Sequence, residues 1–221
     1  RRGALPVMPA LRAWWRYQHW KVRGIVLLGV GRSVPALACF DAMLALRPLD
    51  SCGLASRAHA RAQLRNLAGA VADLRLLTGV QPQSATAWFN LGYALQQQGQ
   101  SGEAESAFEC ALAINPQLDR AWYGLALALM KASRLPEAVQ ALDRNTALQP
   151  MSPYGWYRLA QVRLAMGQPE EALRVVAHLR QFEPRVAARF ERETGLVPRL
   201  ESAALRVPAP AVPACGATDA A

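Results

Sequence analysis

Between residues 85 and 186 the apolar positions recur with a helical period rather than the alternation of a strand. Ala87-Trp88, Leu91-Gly92 and Leu95 follow one another at steps of three and four, and so do Ala104, Ala107, Phe108 and Ala111. Each set therefore lines one face of an amphipathic helix. Gln98-Gly99-Gln100-Ser101-Gly102 interrupts the period and predicts a turn between the two helices. The equivalent interruptions, Ser133-Arg134-Leu135-Pro136 and Gly167-Gln168-Pro169, place proline where a helix begins. Asn115-Pro116, Gln149-Pro150 and Glu183-Pro184 end the second helix of each unit, because proline holds the preceding residue away from helical geometry.

The pattern repeats at a fixed interval. Trp88, Trp122 and Trp156 are spaced by 34 residues, as are Pro116, Pro150 and Pro184, and Ala104, Ala138 and Ala172. Subtracting the same interval extends the series upstream to Leu54, Ala58, Ala70, Leu74 and Pro82, and again to Trp20, Gly24, Ala36, Phe40 and Pro48. Five units result, with limits 17–50, 51–84, 85–118, 119–152 and 153–186. Small residues at Gly92, Ala104, Ala126, Ala138, Ala160 and Ala172 let paired helix axes approach closely, while Trp, Leu and Phe fill the space between pairs. The second unit departs most, since Arg57 and Arg61 stand at apolar positions.

The interval and the run Trp88, Leu91, Gly92, Ala104, Phe108, Pro116 resemble the tetratricopeptide repeat (TPR) in its bacterial form. The resemblance implies an all-α fold, a right-handed α-solenoid of stacked helix-turn-helix repeats, in which no single pair buries its own apolar face. Residues 187–204 are expected to form a capping helix and 205–221 a disordered Pro- and Ala-rich tail, with 1–16 a basic, Trp-containing leading segment.

In the resembled family the first helix of each pair lines a concave groove that holds a peptide, through its second, fifth, sixth, ninth, twelfth and thirteenth positions. Read here, these positions supply the candidate groove residues Phe89, Asn90 and Tyr93 from the third repeat, Arg120, Tyr123, Met130 and Lys131 from the fourth, and Tyr154, Tyr157, Arg158 and Gln161 from the fifth. Aromatic rings offer contact area at low entropic cost, amides can satisfy a bound backbone, and arginine can fork onto a carboxylate. Asn90, Tyr123, Tyr157 and Arg158 are expected to form the centre of the site, with Tyr157 and Arg158 facing solvent. The family's chaperone-tail clamp is matched only at Arg158 or, in another register, Lys21.

Composition narrows the function classes. With 52% hydrophobic and 19% charged residues the chain is too apolar for general disorder, and nowhere continuous enough in apolar residues to cross a bilayer. The formal net charge is +9, of which +7 falls in residues 1–40, where there is no acid. Trp14, Trp15, Tyr17 and Trp20 are interleaved with these bases, so residues 10–32 read either as a solvated basic helix or as a contact for an anionic membrane or polyanion. Cys39, Cys52, Cys110 and Cys215, like His19, His59 and His178, are too scattered for a metal site, and no phosphate loop or nucleophile elbow is present.

These features predict a non-enzymatic adaptor without cofactor or metal. It is expected to be monomeric, to bind a protein or peptide and no nucleic acid, and to be cytoplasmic. The alternative is a regulatory or targeting subunit of an enzyme or of a secretion or assembly complex, held to a membrane surface or polyanion by its basic N-terminus. The apolar run Gly24–Gly31 after Arg23, with Ala36-Leu37-Ala38 before Cys39, resembles an export signal, but Arg32 interrupts it early. Met8 is a plausible start.

Overall fold

The computed structural model describes residues 7–196. Among these residues the chain is wholly helical, with no strand. Five consecutive hairpins pair α1 (Val7–Gly29) with α2 (Ser33–Leu46), α3 (Ser51–Gln63) with α4 (Leu67–Val80), α5 (Ala85–Gln98) with α6 (Ser101–Ile114), α7 (Asp119–Lys131) with α8 (Leu135–Leu148), and α9 (Pro153–Ala165) with α10 (Pro169–Phe182). A single helix, α11 (Pro184–Thr194), closes the stack.

The odd-numbered helices form the inner layer. The pairs α1 and α3, α5 and α7, and α9 and α11 touch directly, whereas no two even-numbered helices approach to the same degree.

Backbone geometry repeats with the sequence. Gly31, Arg65, Gly99, Ser133 and Gly167, each 34 residues from the next, all adopt positive φ between 60° and 88° where the first helix of a pair gives way to the second. Glycine takes this conformation without a side-chain clash, so Arg65 and Ser133 hold it against an intrinsic cost.

The small-residue seam shows why bulk is distributed as it is. A Cβ added to Gly24 would come within 2.7 Å of the Phe40 ring, and one added to Gly92 within 2.8 Å of Phe108. Where the opposing residue is instead Leu74, Leu142 or Val176, the seam residue is Ala58, Ala126 or Ala160, and all of these are buried. Glycine faces phenylalanine and alanine faces a smaller partner, which keeps the axial separation similar from pair to pair.

The second hairpin packs despite its arginines. Asp73 of α4, only 1% exposed, accepts two bonds from Arg57 (Nη2 at 2.6 Å and Nε at 3.0 Å) and a third from Arg61 Nη1 at 2.7 Å. Arg57 Nη1 also reaches Asp41 of α2 at 2.9 Å, and Arg61 Nη1 the Gly69 carbonyl at 3.1 Å. A buried carboxylate is tolerable only when charge and lone pairs are satisfied in this way.

Two expected limits shift. Residues 7–16 do not form a separate segment but are the front of α1, because no helix breaker lies between Ala10 and Arg23 and Pro9 falls in the first turn, where its missing N–H costs nothing. The capping helix begins at Pro184 rather than residue 187 and stops at Gly195 with φ 67°. Residues 197–204 of the expected cap and the 205–221 tail lie outside the described residues.

Candidate partner-binding groove

Each candidate groove residue sits on an odd-numbered helix, and the structure sorts them into three settings. Around α5 an aromatic ridge forms. Phe89 stacks on Tyr93 with ring centroids 6.4 Å apart, leans on the buried Phe108 at 6.0 Å, and carries the Arg120 guanidinium 5.2 Å above its ring. Tyr93 is 53% exposed, so the ridge presents an aromatic edge to solvent.

Tyr123 and Met130 of α7 are half-buried against the core, while Lys131 is exposed at the end of that helix. In α9, Tyr154 is 71% exposed. Arg158 donates from Nη1 to Oε1 of Gln161 at 2.8 Å, one turn along the same helix.

Tyr157 departs from expectation. Its hydroxyl donates to the Glu193 carboxylate of α11, and its ring meets Phe190 edge-on at 5.3 Å. The bond to Glu193 raises the phenol's pKa, and together with Arg189 it holds the Glu193 carboxyl below its usual range. Tyr157 is therefore half-buried and engaged in holding the closing helix, because α11 takes the place that the next first helix would occupy.

A concavity also lies one repeat earlier than the candidate residues. A hollow of about 550 Å³ opens between α3 and α5. Its floor is Ala55, Ala58, Ala62, Leu67, Leu74 and Ala94, and its polar rim is His59, Gln63, Arg65, Asn90, Tyr93 and Gln97. The cause is missing bulk. Ala55 stands in register with Phe89, Tyr123 and Tyr157, and Ala62 with Gln96, Met130 and Leu164, so these two positions of α3 leave space that larger side chains occupy elsewhere. Of the candidate residues, the structure brings Asn90 and Tyr93 to this hollow. His59 and Gln63, one 34-residue step before Tyr93 and Gln97, join the rim although they are not among the candidate residues.

The recurring tryptophans and prolines are coupled. Trp88 Nε1 donates to the Pro82 carbonyl at 2.9 Å, and Trp122 and Trp156 donate to Pro116 and Pro150 at 2.8 Å. Each bond latches the first helix of a repeat onto the exit of the one before. The family model for the tetratricopeptide repeat matches residues 85–118, the unit whose Trp88 makes the first of these latches. The fold is a tetratricopeptide-repeat solenoid.

Solved TPR structures agree in architecture. A MamA chain spanning residue 41 to the end, from Desulfovibrio magneticus RS-1, is similar with a TM-score of 0.73 and 19% identity, over 77% of this chain and 96% of that one. YrrB, described as a TPR protein with an unusual peptide-binding site, gives 0.68 and 16%, over 78% and 90%. PilF of Pseudomonas aeruginosa gives 0.67 and 16%, over 83% and 88%. At these identities the likeness is one of TPR fold. No curated protein matches the chain. Among the described residues no group of His, Cys, Asp or Glu could hold a metal ion, and no helix is long and apolar enough to cross a membrane.

Proposed function

We propose that this chain is an adaptor that holds a segment of a partner protein along the inner face of its solenoid, with the hollow between α3 and α5 as the anchoring point. The observation that carries the reading is the junction of an apolar-floored hollow with an exposed aromatic ridge. A bulky apolar side chain of the partner would enter over Ala58 and Ala62, while Asn90, Gln63 and Gln97 pair with its backbone and Tyr93 packs alongside. Arg65, Arg120 and Lys131 supply a basic border, so the bound segment combines apolar and acidic residues. The peptide-binding description of YrrB, a protein of similar fold, is consistent with this use of the inner face. Nothing in the arrangement calls for catalysis, and a cytoplasmic adaptor is the simplest setting for it.

The test is selection from a random peptide library, followed by affinity measurement on the winners. Paired Asn90→Ala and Tyr93→Ala substitutions should weaken binding more than about tenfold, the scale of two interface anchors. Ala62→Trp, which fills the hollow, should do the same with helicity unchanged, and Arg174→Ala on the outer layer should have no effect. Peptides that bind both groove variants as well as the parent chain would place the binding surface elsewhere.

A further inference from the structure

Among the described residues, uncovered apolar surface is concentrated at the N-terminal end of the stack. Eight of the fifteen exposed large apolar side chains fall within residues 11–34, and nearly all of those are on α1. Leu11, Trp15, Val22, Ile25 and Val26 recur at steps of three, four and seven, so they share one helix face. Tyr17, Gly24, Trp20 and Leu27 on the opposite face pack inward. Trp15 is 62% exposed and meets Trp14 edge-on at 4.9 Å. Beside it runs a shallow hollow of about 580 Å³ between Trp15, Val22 and Val26.

Charge selects the occupant. Arg12, Arg16 and Arg23 each follow directly after a residue of the apolar stripe, Leu11, Trp15 and Val22, and so form a basic border along one side of it; the first acid in the sequence is Asp41. A second copy of the chain would bring two such borders together, and like charges at close range repel. A nucleic-acid backbone would satisfy the arginines but leave Val22, Ile25 and Val26 in water. An anionic bilayer meets both demands at once, with phosphates for the arginines and acyl chains for the stripe, and tryptophan favours the boundary between them.

We propose that α1 lies flat on an anionic phospholipid surface, with Leu11, Trp15, Val22, Ile25 and Val26 entering the acyl boundary while Arg12, Arg16 and Arg23 pair with headgroup phosphates. The end of the stack is thereby attached, and the groove along the remaining repeats stays open. The proposal stands independently of the groove reading.

The test is co-sedimentation of the full chain with vesicles of phosphatidylcholine alone and of phosphatidylcholine mixed with phosphatidylglycerol, alongside quenching of tryptophan fluorescence by brominated acyl chains. Binding and quenching are expected with the anionic vesicles only. Neutralising Arg12, Arg16 and Arg23 together with Gln should weaken binding by roughly a hundredfold, the scale of three basic residues at such a surface. Trp15→Ser with Val26→Ser should abolish quenching while circular dichroism stays unchanged, since both side chains are exposed. Arg189→Gln on α11 should bind as the parent does. Equal binding to neutral vesicles, or undiminished binding by both α1 variants, would overturn the proposal. So would a vesicle-free dimer, seen by sedimentation, that Trp15→Ser dissolves, or duplex DNA binding that ignores the Trp15 and Val26 substitutions.

Discussion

From α5 to α10 the hairpins are joined by the same devices in every repeat. An indole bonds the proline carbonyl of the preceding repeat, and a seam of alanine or glycine against phenylalanine, leucine or valine runs between the layers. From α1 to α4 the small-residue seam persists, with Gly24 against Phe40 and Ala58 against Leu74, but polar groups stand in for the indole latches and enter the packing beside the seam. Tyr17 donates to Asp50 at 2.8 Å, tying α1 to the N-cap of α3, where Asp50 also accepts from the Gly53 N–H at 2.7 Å. Ser33 bonds Gln63, and Asp73 collects Arg57 and Arg61 where the third and fourth repeats carry leucines against alanine, and the fifth Leu159 and Arg163 against valine. The two regions share one backbone plan, so the repeat geometry does not demand that every position beside the seam be apolar. It demands that whatever fills the seam be matched from the facing helix.

The sharpest way to break this comparison is to remove one side of a match. Asp73→Ala leaves two part-buried guanidinium groups without the carboxylate they share, Arg57 keeping only Asp41, and should destabilise the chain by about 3 kcal/mol in urea unfolding, the low end for breaking a buried pair. Adding Arg57→Leu and Arg61→Leu to that background gives the pattern of the third and fourth repeats and should recover most or all of the loss. A triple variant no more stable than Asp73→Ala would show that the polar network is needed for more than local compensation.

The corresponding experiment in the apolar region is smaller. Gly92→Ala pushes a methyl group into the Phe108 ring and should cost about 1–3 kcal/mol despite alanine's better helix propensity. Phe108→Leu should cost less in the Gly92→Ala background than alone, because the space it vacates accepts the new methyl. Strict additivity of the two changes would mean that the seam is not a matched pair.

The smallest effects test what the regions have in common. Arg65 and Ser133 hold the same left-handed turn on either side of the divide, with φ 62° and 60°. Arg65→Gly and Ser133→Gly should each raise stability by about 0.5–1 kcal/mol, read as an increase in the urea midpoint. Unequal gains would reveal that one turn is strained by its surroundings.

What was legible in the sequence was whatever recurs. The 34-residue spacing of tryptophan, proline and alanine carried the helix pairs and their stacking, because each of those residues acts on a neighbour in the same or the adjoining unit. What escaped was fixed by a single partner far along the chain. Asp73 gave no sign that it would neutralise Arg57 and Arg61, since its register position holds alanine or valine in the later repeats. Tyr157 read as a free groove residue because its partner, Glu193, belongs to a cap outside the repeat. The hollow between α3 and α5 arises from absent bulk at Ala55 and Ala62, and absence makes no motif. Reading His59 and Gln63 at the same interval as Tyr93 and Gln97 would have reached its rim.

The tryptophan latches span only six residues, so closing one costs little chain entropy and needs no distant element in place. They occur at the junctions before α5, α7 and α9, whereas Leu54 occupies the corresponding position in α3. The latched repeats are thereby coupled to their neighbours by a contact that the leading hairpins lack. The hollow lies on the boundary between the latched and unlatched parts of the chain. A segment seated there would grip both sides of that boundary, and its binding would by mass action stabilise the leading hairpins on the rest of the stack.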